Sequence, residues 1–188
     1  MKTKNIIIAF AVTAILQLFV PMKMIYDCEI TERYGAEYKF RTEPIDPNDP
    51  FRGKYVILNF ADNTIVSKDG NWEYDETVFV YLKKDKDGFA KIARVTREED
   101  GSSNDYLKTT VAMYNSNNIL YINFPFDRYY MEESKAYDAE VAYREYNRDT
   151  VNTKPAYALV AVKNGNQVLK DVILDGTPIK EYVTKNRK

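Results

Sequence analysis

The chain has 188 residues, room for one domain and an appendage, with 27 basic against 28 acidic residues and a formal net charge of -1. That balance excludes a basic field for nucleic acid, so no nucleic-acid partner is expected. Histidine is absent, which excludes serine-histidine and histidine-zinc chemistry, and the single cysteine, Cys28, has no partner for an internal disulfide.

Lys2 and Lys4 precede an uncharged run from Ile6 to Met22, IIIAFAVTAILQLFVPM. At about 17 residues it meets the lower limit for a helix crossing the hydrocarbon core. Met24, Ile25 and Tyr26 extend it. The early lysines put the start of the chain in the cytoplasm and everything after Tyr26 outside it, with Lys23 as an opposing charge on the far side. A cleaved signal peptide shares the charged start and apolar middle, but such a signal ends in small residues, and this run ends in Gln17, Leu18, Phe19, Val20, Pro21 and Met22. Tyr26 and Asp27, bulky and charged, also precede Cys28 where a lipoprotein signal needs small residues. The expectation is an uncleaved anchor over residues 1–26 and an extracytoplasmic β-rich domain over residues 27–188. Cys28 is either idle or a thiol able to link two chains.

Residues 27–43 read as a stalk or first strand, with Ala36 to Phe40 able to pair. KYVILNF, residues 54–60, is β-branched and aromatic and too short for a helix, so it is predicted as one strand. TVFVYLK from Thr77 and FAKIARVT from Phe89 flank Asp85-Lys86-Asp87-Gly88 and predict an antiparallel hairpin. Leu107 to Tyr114 and Ile119 to Phe124 add two more strands. KAYDAEVAYREY, capped by Ser134 and ended by Pro155, is the one helix expected outside the membrane. Tyr157 to Val162 and Val168 to Leu174 flank Asn164-Gly165, the dipeptide of a type I′ hairpin turn. With 16 tyrosines and only 7 glycines, the fold class expected is mainly β, an antiparallel sheet or small barrel-like or sandwich domain with one short helix, behind the transmembrane helix.

The densest local signal is PIDPNDPFRGKYVILNF, residues 44–60. Proline fixes φ and aspartate bonds nearby amides, so Asp46-Pro47 and Asp49-Pro50 describe a rigid loop. Arg52 is placed to lie across those carboxylates, and Gly53 permits a bend where the strand begins. Such a loop either supports the strand or presents Asp49 and Arg52 to a ligand or partner.

These residues resemble the GDYXXLXY family, named for a Gly-Asp-Tyr…Leu-x-Tyr pattern after an aspartate- and proline-rich loop. Gly53, Tyr55 and Leu58 match it, while Lys54 replaces the aspartate and Phe60 the last tyrosine. DRYYMEESKAYDAE, residues 127–140, is similar to a second pattern of the family: Arg128, Tyr129, Glu133 and Glu140 fit, whereas Glu132 replaces a proline and Ser134 a glycine. The closing stretch NGNQVLKDVILDGTPI also resembles the family's terminal hairpin. The resemblance implies a membrane-anchored bacterial protein, single-pass in the cytoplasmic membrane, of no established activity and often accompanied by a multi-pass membrane protein. A role that needs the aspartate is put in question by Lys54.

The candidate binding or motif residues are therefore Asp46, Asp49, Arg52, Gly53, Tyr55, Arg128, Tyr129, Glu133 and Glu140, with no catalytic set and no metal ligands. No cofactor is expected, because no glycine-rich run resembles a phosphate cradle. Asp85 to Gly88 is a hairpin turn rather than a calcium loop, since Arg94 falls where the bidentate glutamate belongs. The first functional expectation is an accessory or interaction module that is anchored in the bacterial envelope and acts with an integral membrane protein. The alternative is an envelope hydrolase or small-ligand-binding protein using Glu133 with Asp49 or Glu140.

Overall fold

The computed structural model describes residues 3–43, 55–67, 69–103, 105–148 and 154–186, with backbone alone at Tyr55, Glu133, Ser134 and Asn186. It opens with helix α1, Thr3–Tyr34, 32 residues that extend about 48 Å at 1.5 Å per residue. Its apolar stretch is exposed on all sides and is long enough to cross a membrane. The helix also runs on through residues 27–34, which the sequence suggested as a stalk. Glu29 and Arg33 pair one turn apart there, a spacing that favours helix, and Arg33 complements the negative end of the helix dipole.

The last turns of α1 pack on the β-rich part of the chain. Thr31 is buried and its hydroxyl donates to the Asp27 carbonyl at 2.8 Å. Gly35 then turns the chain directly into strand β1, Ala36–Glu43, its N–H donating to the Thr31 carbonyl at 2.9 Å. A side chain at Gly35 would overlap that carbonyl and stand 3.0 Å from the Val162 nitrogen, so the junction requires glycine for want of space.

The remaining strands are β2 (Tyr55–Ile57), β3 (Asn59–Phe60), β4 (Thr64–Val66), β5 (Thr77–Lys84), β6 (Ala90–Thr96), β7 (Tyr106–Tyr114), β8 (Ile119–Asn123), β9 (Arg128–Tyr130), β10 (Tyr157–Lys163), β11 (Asn166–Leu174) and β12 (Thr177–Pro178). One sheet has the order β12-β11-β10-β1-β3, another β4-β8-β7-β5-β6, and β2 pairs with β9 as a ribbon. All these pairs are antiparallel. Two parallel bridges, Lys39 to Phe89 and Leu107 to Gly165, stitch the larger sheets into a nearly closed barrel. Val78, Val80, Leu107, Val111, Leu120, Val160, Val162 and Val172 fill its interior.

Both predicted hairpins form: β5 with β6, and β10 with β11 around Asn164 and Gly165, whose φ angles of 49° and 81° suit a type I′ turn. KYVILNF is not one strand. Val56, Leu58 and Phe60 all face inward, so the side-chain alternation is unbroken, but β2 bonds to β9 and β3 bonds to β1. At the break the Leu58 N–H donates to the Asp127 carbonyl at 2.7 Å.

The helical expectations also change in two places. Helix α2 spans Glu133–Arg148, and its first turn bonds back to the Glu132 carbonyl from the N–H of Ala136 at 3.0 Å. Ser134 therefore lies inside the first turn rather than at the cap. A further helix, α3 (Ile179–Asn186), forms beyond the one helix expected outside the membrane. Ile179 and Val183, four residues apart, share a face and bury, and α3 packs on α2 and β11.

The Gly35 junction yields a direct test. Gly35→Ala is expected to lower the unfolding free energy by about 1–3 kcal/mol, because the backbone it meets has to shift. Gly70→Ala, which meets nothing within 4 Å, should stay within about 0.5 kcal/mol of the parent in the same urea titration.

Candidate binding face

The two separated stretches that the sequence singles out lie side by side. Tyr55 pairs with Tyr130, Val56 with Tyr129 and Ile57 with Arg128, so the strand after the aspartate-proline loop and the strand before α2 form one ribbon. Side chains alternate across such a ribbon. Val56 and Tyr129 point inward and are buried, whereas Ile57 (40% exposed), Arg128 and Tyr130 (66% exposed) lie on the outer side. Helix α2 packs on β2 and leaves Tyr137 exposed.

Tyr129 ties this ribbon to the terminal hairpin. Its hydroxyl donates to Asp171 Oδ1 in β11 at 2.8 Å, and Lys180 of α3 lies 5.7 Å from its ring centre. The same Asp171 oxygen accepts the Val172 N–H at 2.8 Å. Burial, and then the Asp171 carboxylate, push the Tyr129 hydroxyl far above its ordinary pKa. Tyr129 is thus a buried fastener that fixes the ribbon, and its neighbours across the pleat are what solvent meets.

Asp46, Asp49, Arg52 and Gly53 lie outside the described residues. Tyr55 stands opposite Tyr130 through the backbone. Arg128 is exposed, its Nε 3.8 Å from the Asp127 carboxylate. Glu133 opens α2, and Glu140, about two turns on, is exposed. Ile57, Tyr130 and Asp171 belong to this face or its support and were missed. Alternation along β2 and β9 would have placed Ile57 and Tyr130 outward had the pairing been known, while Asp171 carried no local signal.

The Asp85 to Gly88 turn is a structural clasp. Asp85 accepts the backbone N–H groups of Asp87 and Phe89 at 2.9 and 2.8 Å and pairs with Arg41 at 2.9 Å. Burial opposes its charge, but these bonds outweigh that and hold its carboxyl below the usual range. Arg41 also lies 4.0 Å from the Phe89 ring centre. Among the described residues no group of three or more histidine, cysteine, aspartate or glutamate side chains is placed to hold a metal ion.

Two outcomes test the buried tyrosines. Tyr129→Phe removes the hydroxyl donor to Asp171 and leaves that oxygen the Val172 N–H, and should cost about 1–3 kcal/mol in a urea titration. Burial pushes the Tyr38, Tyr106 and Tyr143 hydroxyls up to about 12, with Asp105 adding to the shift at Tyr38 and Glu99 at Tyr106. Their folded pKa values exceed the unfolded value near 10, so the folded state holds more protons between the two. Stability should be intact below pH 10 and fall as pH rises from there towards 12, and an absorbance titration of phenolate should show these tyrosines ionising only with unfolding.

A family model described as GDYXXLXY protein matches residues 17–172, from within α1 to within β11. No curated protein and no solved structure matches the chain.

Proposed function

The chain belongs to the GDYXXLXY family, and we propose that it is an accessory module of the bacterial envelope, anchored by α1 and binding an integral membrane protein through the β2–β9 ribbon. In this reading residues 1–26 carry the anchor and residues 27–188 a domain outside the cytoplasm. Lys2 and Lys4 support that orientation, as they precede the apolar run. The exposed apolar stretch of α1 supports insertion, since a lipid bilayer would cover what the rest of the chain leaves bare.

The observation that carries the reading is the outer side of the ribbon, where Ile57, Arg128 and Tyr130 gather on a backbone fixed by Tyr129. Exposed aromatic and arginine side chains on a rigid support are the composition of residues that dominate binding energy at protein interfaces. Tyr137, 73% exposed on the helix that covers β2, extends the same aromatic character. The partner fitted to it is an extracytoplasmic loop of a multi-pass protein in the same membrane. Candidate contacts from the preceding loop are Asp49 and Arg52.

The test is chemical cross-linking in intact membranes followed by affinity recovery. The unaltered chain should bring down a multi-pass membrane protein, and Arg128→Glu with Tyr130→Ala should lower that recovery about tenfold, the effect of losing ~1.4 kcal/mol at a hot spot. A urea midpoint matching the parent's shows that the variant still folds. Recovery of no membrane protein, or undiminished recovery by the variant, overturns the proposal.

A further inference from the structure

Within its apolar stretch α1 carries two polar groups on one residue that the helix does not serve. Pro21 has no N–H, so the backbone carbonyl of Gln17, four residues earlier, lacks the donor that completes the helical ladder. The carboxamide of Gln17 has no hydrogen-bond partner among the described residues either. Thr13 differs, since its hydroxyl donates to the Ala9 carbonyl at 2.9 Å. In hydrocarbon a polar group without a partner is costly, and a proline in a spanning helix is tolerated where a neighbour serves the carbonyl it frees.

From Ile6 to Met24 the face that carries Gln17 is free of charge. Ile6, Phe10, Thr13, Gln17, Val20 and Met24 advance in alternating steps of four and three, the seam spacing of two helices wound about each other. Cys28 follows Met24 by about one turn, and lies about three turns from Gln17 on the same side. Its thiol is free and exposed. Carried on by three and four, the same spacing reaches half-buried Asp27 and buried Thr31, where the β-rich part of the chain packs. A second helix therefore has room along the seam as far as Met24, with Cys28 exposed beside it.

We infer that α1 pairs in parallel with α1 of a second copy of this chain, across Gln17. The inference rests on the anchored reading above. In a two-fold pair both Gln17 residues lie at one depth by symmetry. Each carboxamide has two N–H donors and an acceptor, so it serves the opposite Gln17 carbonyl that Pro21 leaves open. A helix of another sequence would have to bring a donor to that depth, whereas the second copy does so of necessity. A lone polar residue at a seam also fixes register and the number of helices.

Cys28 makes the pairing measurable in the full-length chain expressed in bacterial membranes. Copper-phenanthroline under air takes the two electrons as two thiols lose their protons and join in a disulfide. Cys28 should give a dimer on a non-reducing gel, and Gln17→Leu should reduce its yield about fivefold. With Cys28→Ser as background, Met24→Cys on the seam should cross-link, while Met22→Cys on the far flank should not. Equal yields from positions 22 and 24, a Cys28 yield unchanged by Gln17→Leu, or an adduct with an unrelated protein in place of the dimer overturns the inference. Carbonate washing separates the two proposals: a chain retained in the membrane without face-dependent cross-linking defeats the pairing alone, and a chain washed out defeats the anchor and the pairing together.

Discussion

Phe40 and Phe60 come from one sheet, Phe124 and Phe126 from the segment that leaves the other, and their rings meet with centres 4.9 to 6.0 Å apart. Most of these contacts are edge-to-face or tilted, with Phe124 stacked on Phe126, the arrangements in which aromatic rings attract. The cluster lies where the chain exchanges one set of backbone partners for another. Just before Phe60 the chain passes from β9 to β1 as its neighbour, and just after Phe126 it enters β9. With the four rings fixed, Leu58 and Asp127 are held close enough to bond, and the ribbon is the consequence. The candidate binding face thus depends on this buried aromatic cluster.

The terminal hairpin connects that face to α1. β10 and β11 receive the end of α1 through Thr31 and Gly35, and β11 also carries Asp171, which holds Tyr129. A glycine junction with no spare volume transmits the direction of the helix to the sheet, as close-packed interiors do. The ribbon is then held at a set position relative to the helix.

The near-zero net charge has a local counterpart in how the cations are used. Arg41, Arg94 and Arg97 each lie 4.0 to 4.1 Å from an aromatic ring centre, over Phe89, Tyr81 and Trp72. Each also pairs with a carboxylate, Asp85, Asp100 and Glu76 respectively. Isolated exposed pairs contribute little, but a guanidinium laid on a ring and held at its edge covers apolar surface and fixes a turn. These arginines close loops around the barrel.

What the sequence determined by itself were features that depend on neighbours along the chain. Alternation and turn chemistry marked β5 with β6 and β10 with β11, down to the positive φ angles at Asn164 and Gly165, and an uncharged run marked α1. Its limits show at Leu58, at α3 and at Asp171. The inward pattern of Val56, Leu58 and Phe60 is that of one strand, and only the hydrogen-bond partner changes, which side-chain alternation does not encode. α3 is short, and its helix rests on burying Ile179 and Val183 against α2 and β11 rather than on propensity. The candidate residues could be named from their spacing, yet the meeting of Tyr55, Arg128 and Tyr129 in one ribbon, and the separation of buried Tyr129 from exposed Arg128 and Tyr130, were decided by tertiary structure. Pairing between β2 and β9 joins stretches some seventy residues apart, and a contact at that range follows from how the sheets pack, not from any local pattern.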